Sequence, residues 1–143
     1  MTTWMVVEDE PDLYDMVLTM YEMLGIEGVA FTDGEEAVTW IEEVERGEYR
    51  RELPELALLD IRLPGKVTGT MVGARLRECA PMNDMAIVLM TAYKLSPQEE
   101  KTVQKQAGSN LLLYKPLPRL DDFRTVLEKL VKERHKREKR QRM

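Results

Sequence analysis

Leu56-Ala57-Leu58-Leu59-Asp60 decides the fold: four apolar residues run straight into a carboxylate, and Ile61-Arg62-Leu63-Pro64-Gly65 follows. A short, unbroken apolar run reads as a strand buried on both faces, as strands of parallel sheets are. Asp60 then stands where the strand leaves the core. In open α/β sheets that edge, at the carboxyl ends of the strands, is where ligands bind. Three other stretches end in the same way. Residues 3–7 run into Glu8-Asp9, residues 85–90 into Thr91, and residues 110–114 into Lys115.

Between these strands the apolar spacing changes from two to about 3.6. Pro11 suits a first helical turn, and Leu13, Val17, Met20, Tyr21 and Leu24 continue a helix over 11–24 that Gly25 stops. Residues 27–31 form a weaker strand, expected near an edge. Ala37, Trp40, Ile41 and Val44 mark a second helix, which ends near Gly47, before a polar loop over 48–54. Thr68 caps a third helix that runs to about Cys79, and Pro81–Asp84 turns the chain. Ser96-Pro97-Gln98-Glu99 is a capping box that opens a polar fourth helix, ended by Gly108. Leu120, Phe123, Leu127, Leu130 and Val131 share one face of a fifth. Five strands alternating with five helices predict an α/β fold, a doubly wound parallel sheet with right-handed crossovers. The flavodoxin-like strand order 2-1-3-4-5 is the expected arrangement.

The 143 residues suffice for one domain, and 43% hydrophobic and 33% charged residues are ordinary for a globular protein. No apolar run approaches the ~20 residues of a membrane span. Met1-Thr2-Thr3 carries no basic segment of the kind that opens a signal peptide. Cys79, the single cysteine, excludes an internal disulfide, suits a reducing cytoplasm and reads as a small core residue. The net charge of −5 is unevenly spread: residues 128–143 hold eight Lys/Arg against three Glu, a net of +5, while residues 1–127 carry −10. The acidic body argues against nucleic acid as the ligand of the folded domain. Residues 132–143 have good helix formers but no apolar stripe, and read as a basic, solvated tail extending the last helix beyond a domain over 1–131. His135, with neither a triad nor a metal partner, reads as a surface residue.

In the order 2-1-3-4-5, strands one and three are neighbours roughly 4.8 Å apart. Glu8, Asp9 and Asp60 then converge on one pocket, with Thr91 beyond Asp60 and Lys115 one strand further, reaching back. Carboxylates this close repel strongly and need positive charge among them. Lys115 supplies one unit and a divalent ion two. All-oxygen ligands in a partly hydrated site suit Mg²⁺ rather than zinc. A carboxylate beside Mg²⁺ and Lys is set up to attack phosphorus and form an acyl phosphate, and Thr91 can donate a hydrogen bond to the same group.

Taken together, Glu8-Asp9, Asp60, Leu63-Pro64, Thr91-Ala92 and Lys115-Pro116, with Arg77 in helix three, resemble the receiver domain of two-component response regulators. The resemblance covers residues 3 to about 131. It implies a phosphorelay signalling switch rather than a turnover enzyme. Asp60 would accept a phosphoryl group from a sensor histidine kinase or phosphotransfer protein. Asp9, Asp60, Glu8 and the backbone carbonyl of Arg62 would hold Mg²⁺. Lys115 would pair with Asp60 and then with the phosphoryl group, while Thr91 would swing toward it and report to the surface. It also implies a cis Lys115-Pro116 bond and an output face made by helix four, strand five and helix five. Arg62 and Tyr93 occupy the positions that tune phosphoryl lifetime, where two large side chains would shield the site from water.

Two departures from the family pattern stand out. Leu112 occupies the place, three residues before the lysine, where the family often has an aromatic switch residue, and Tyr114 shares its strand parity. The loop after Asp60 is one residue longer than usual, with Thr68 in place of an Asp before the glycine. Leu112 motivates an alternative reading, a receiver-like interaction module that is never phosphorylated; the complete acidic set argues against it. An aspartyl-nucleophile phosphohydrolase would carry an acid two residues after Asp60, where Arg62 stands. Neither a GxGxxG nor a GxxxxGK[ST] loop is present for nucleotide binding. Twelve residues after Val131 are too few for a DNA-binding output domain, so output is expected through a partner, the tail, or self-association into a homodimer.

Overall fold

A computed structural model describes residues 2–142. The strands are β1 (Thr3–Val7), β2 (Glu27–Phe31), β3 (Leu56–Asp60), β4 (Ala86–Thr91) and β5 (Leu111–Tyr114). All pair in parallel, in the order β2-β1-β3-β4-β5. The helices are α1 (Pro11–Met23), α2 (Gly34–Glu45), α3 (Gly69–Glu78), α4 (Pro97–Ala107) and α5 (Leu120–Arg142). The doubly wound fold expected from the alternation is therefore the one observed.

Side chains alternate across the sheet with a period of two, and this divides the core. Met5, Val7, Ala57, Leu59, Ile87 and Leu89 face α2, α3 and α4, where they meet Trp40, Ile41, Val72, Leu76 and Ala107. Trp4, Val6, Leu56, Leu58, Val88 and Met90 face α1 and α5, where they meet Val17, Tyr21, Phe123 and Leu127. β1, β3 and β4 are fully buried because both faces are covered. β2 is only partly buried, as suits an edge strand. Cys79 packs in the α2–α4 side of the core.

The first four helices start where the sequence offers an oxygen to their first N–H groups. The Glu10 carboxylate accepts from Asp12 N and Leu13 N, and Asp33 accepts from Glu36 N. Thr68 Oγ1 accepts from Met71 N at 3.3 Å. Ser96 and Glu99 form the reciprocal capping box at α4, and Gly108 closes that helix with a left-handed φ of 64°. The turn expected at Pro81–Asp84 is partly a 3₁₀ turn over Ala80–Met82, which buries Met82.

One glycine sets the distance between α3 and the sheet edge. Gly69 N donates to the Ile61 carbonyl at 3.0 Å, and a Cβ at this position would collide with the backbone carbonyl of Asp60. Gly69→Ala is therefore expected to destabilise the fold by about 1–3 kcal/mol, because backbone rather than a flexible side chain must give way. Urea denaturation should show the midpoint lowered with the slope unchanged. An unchanged midpoint would mean that the loop after Asp60 yields freely.

Candidate functional site

Four strand ends meet at one rim. β1 pairs with β3 so that Val7 lies beside Leu59, which brings the residues after β1 to the end of β3. One carboxylate oxygen each from Glu8, Asp9 and Asp60 lies within 4.8 Å of the others. Glu8 and Asp60 are buried and Asp9 is exposed. Lys115 follows β5, and its Nζ sits 2.6 Å from Glu8 Oε1 and 3.3 Å from Asp60 Oδ2. The ammonium thus lies closer to Glu8 than to Asp60. Glu8 Oε2 also accepts from Glu10 N, and Asp60 Oδ1 accepts from Arg62 N at 3.3 Å.

These contacts push the two buried carboxyls in opposite directions. Burial drives Glu8 up, but hydrogen bonds with Lys115, Asp60 and Glu10 N, together with the Lys115 charge, outweigh it and hold Glu8 below its ordinary value. For Asp60, burial and then the hydrogen bond and negative charge of Glu8 dominate Lys115, and its pKa is pushed up to about 7. Burial lowers Lys115, but its two carboxylate partners prevail and keep it charged. Two acids share one cation, so one of them stays protonated near neutrality unless a cation is added.

This has a consequence for stability without metal. A carboxyl raised from 3.8 to about 7 binds a proton in the folded state that the unfolded chain has already lost. Its stabilising contribution is complete below the unfolded value, declines as pH rises, and is exhausted above about 7. In EDTA, thermal unfolding of the wild type should therefore fall between about pH 6 and about pH 8 by more than that of Asp60→Asn, which lacks this group. Parallel pH dependence in the two proteins would show that Asp60 does not carry the proton.

Thr91 ends β4 and is buried; its Oγ1 accepts from Tyr93 N at 3.1 Å. Its carbonyl accepts from Lys115 N at 2.8 Å, which ties the two strand ends together. The Lys115-Pro116 bond is cis. Arg62 stacks on Tyr93, with Cζ 3.6 Å from the ring centroid, so the loops after β3 and β4 touch above the rim. Leu112 pairs with Leu89 and packs into the α2–α4 side of the core. Tyr114 pairs with Thr91; its hydroxyl donates to Glu100 Oε2 at 2.8 Å and accepts from Leu95 N at 3.4 Å. Nothing in the sequence pointed to Glu100, since the contact joins α4 to β5. The Arg62–Tyr93 stack is equally hidden in the sequence, since it joins loops 31 residues apart.

A profile of the response regulator receiver domain matches residues 4–128. The chain belongs to this family. Receiver domains of two-component systems are signalling switches rather than turnover enzymes, and work with histidine kinases or phosphotransfer partners. The chain is 29% identical over 122 residues to a 14.6 kDa protein from the sodA1 3′ region of Leptolyngbya boryana, covering 85% of each. Its fold is similar to a CheY-like response regulator receiver domain from Methanospirillum hungatei JF-1, with a TM-score of 0.78, 23% identity, and 96% and 98% of the two chains covered. It is also similar to the receiver domain of the sensor histidine kinase PA1611 of Pseudomonas aeruginosa PAO1, which has a magnesium ion coordinated in the active-site cleft. There the TM-score is 0.73 at 25% identity, over 91% of this chain and 97% of the other. No helix among the described residues is long and apolar enough to cross a membrane.

Proposed function

We propose that this receiver domain is a phosphoacceptor switch of a two-component phosphorelay in the cytoplasm, with Asp60 as the residue phosphorylated. The observation that carries this reading is the juxtaposition of Glu8, Asp9 and Asp60 within 4.8 Å, with Lys115 Nζ on two of them. The donor set is all oxygen and anionic, which suits a hard cation. Glu8, Asp9, Asp60 and the Arg62 backbone carbonyl would hold Mg²⁺, which when bound offsets the charge on the transferring phosphoryl oxygens.

The chain's own groups then have defined tasks. An Asp60 carboxylate oxygen attacks the phosphorus of a phosphohistidine on a sensor kinase or phosphotransfer protein. The new O–P bond forms as the P–N bond breaks, and the imidazole leaves with the electron pair. Lys115 exchanges part of its pairing with Asp60 for a phosphoryl oxygen, and Thr91 donates its hydroxyl hydrogen to another. Moving Thr91 disturbs Tyr93 N and the loop that Leu95 N ties to Tyr114, and so reaches α4 through Glu100. The switched surface is thus the face of α4, β5 and α5, which would engage a downstream partner or a second copy of the chain. Tyr114 relays the change where Leu112, a partly buried aliphatic residue packed against the α2–α4 side of the core, has no hydroxyl to do so. Mass spectrometry after incubation with acetyl phosphate and Mg²⁺ tests the proposal: one added phosphoryl group, located on Asp60, supports it, and no addition overturns it.

The Arg62–Tyr93 stack joins the loops that follow Asp60 and Thr91, and in this reading it hinders the water that hydrolyses the acyl phosphate. A cation–π contact of this kind is worth roughly 0.5–1 kcal/mol at an exposed position. Tyr93→Ala should shorten the phosphoryl lifetime about two- to fivefold, read by the decay of the labelled species after the donor is removed. An unchanged decay would show that water already reaches the site past the stack.

A further inference from the structure

The sheet has a second rim, where β4 and β5 begin. Here a cavity of about 280 Å³ opens between the C-terminal end of α3, the turns that enter the two strands, and α5. Arg77, Arg134 and Arg137 line it and, among the described residues, Asp84 is the one carboxylate that does. Three guanidinium groups thus stand together on a body whose first 127 residues carry −10.

Arg77 cannot swing out to relieve the crowding. Its guanidinium donates to the carbonyls of Gly108, Asn83 and Met85 and to Asn110 Oδ1, at 2.7–3.1 Å. Burial lowers its pKa, and Arg137 and Arg134 push the same way, with Asp84 opposing them. Arg134 and Arg137 lie three residues apart and so share a helix face. Arg134 Nε donates to the Asp84 carbonyl at 2.9 Å. Arg137 is exposed and has no hydrogen-bond or ion-pair partner among the described residues.

We propose that this cavity binds a small phosphorylated anion, held by the guanidinium groups of Arg134 and Arg137 in front of the fixed charge of Arg77. Guanidinium forks match phosphate oxygens in pairs, and Arg137 has its donors free for such a pairing among the described residues. The occupant is a small molecule rather than a nucleic acid, because the acidic body repels a long polyanion. The site is independent of phosphorylation: it lies at the opposite ends of the strands from Asp60 and needs no metal.

The test is calorimetric titration of pyrophosphate into the full chain carrying Asp60→Asn, in EDTA, so that the other rim takes no part. Saturable binding of one anion per chain is expected. It should weaken about tenfold or more in Arg137→Gln, the scale of one lost charge-assisted hydrogen bond. It should persist in Lys132→Gln, which removes one charge from the same helix but not from the cavity. The proposal is overturned by absence of saturable binding, by equal losses in the two variants, or by a short RNA that binds more tightly than pyrophosphate. Arg77 is left intact in these tests because the fold depends on it.

Discussion

Asp60→Asn is expected to abolish Mg²⁺-dependent labelling by acetyl phosphate outright, with no residual species at the wild-type position. The amide keeps the shape of the carboxylate, and its oxygen can still accept from Arg62 N. What it lacks is a nucleophilic anion. The loss will not reflect unfolding. Asp60 is buried beside Glu8 and is pushed up to about 7 by burial and by that neighbour, so removing its charge relieves repulsion in the metal-free protein. Melting in EDTA near pH 8 should leave the variant as stable as the wild type or more so, and circular dichroism should be unchanged. Three outcomes are informative. Labelling of the variant at the wild-type rate would remove Asp60 from its role. Weak labelling moved to Asp9 or Glu8 would show that the pocket, rather than one oxygen, selects the phosphodonor. A wild type that takes no label with Mg²⁺ present, but still binds a partner, would favour the reading as an unphosphorylated interaction module.

The strand ends explain why so much was legible in the sequence. An apolar run buried on both faces admits few interpretations, and each run here stops at a polar residue. Glu8-Asp9, Asp60, Thr91 and Lys115 could therefore be assigned to one rim once the strand order was assumed. Local chemistry was readable too: the Thr68 cap and the Ser96–Glu99 box depend on residues three apart. What stayed hidden depends on side chains meeting across elements. Lys115 lies nearer Glu8 than Asp60 because its stem reaches past the ends of β4 and β3 to that of β1, a detail of reach that spacing does not encode. Tyr114 meets Glu100 only after α4 has packed beside β5. The turn at Ala80–Met82 tightens into a 3₁₀ form because Met82 is drawn into the core, a tertiary demand on a stretch whose Pro81 signals only a turn.

Arg75 and Arg77 make the same point as a pair, and they yield the largest stability effect expected for this chain. Both lie in the last turn of α3 and look alike in the sequence. Arg75 pairs with Glu45 and Glu78 at the surface, and such exposed pairs contribute about 0–1 kcal/mol. Arg77 is half-buried and acts as the joint between α3, the end of α4 and the starts of β4 and β5. Two of its donors satisfy the Gly108 carbonyl that closes α4, one satisfies Met85, and one holds Asn110 Oδ1, which in turn accepts from Ile87 N. Arg77→Met keeps the apolar stem against Gly108 and removes every donor. Buried acceptors left without partners cost about 1–3 kcal/mol each, and at least two are stranded, so a loss of about 3–5 kcal/mol is expected. Arg75→Met should cost less than about 1 kcal/mol. Urea titration of the two variants measures the contrast directly. If they unfold at the same midpoint, water replaces the guanidinium at Gly108 and Met85 without penalty, and the joint is not what keeps α3 and α4 on the sheet.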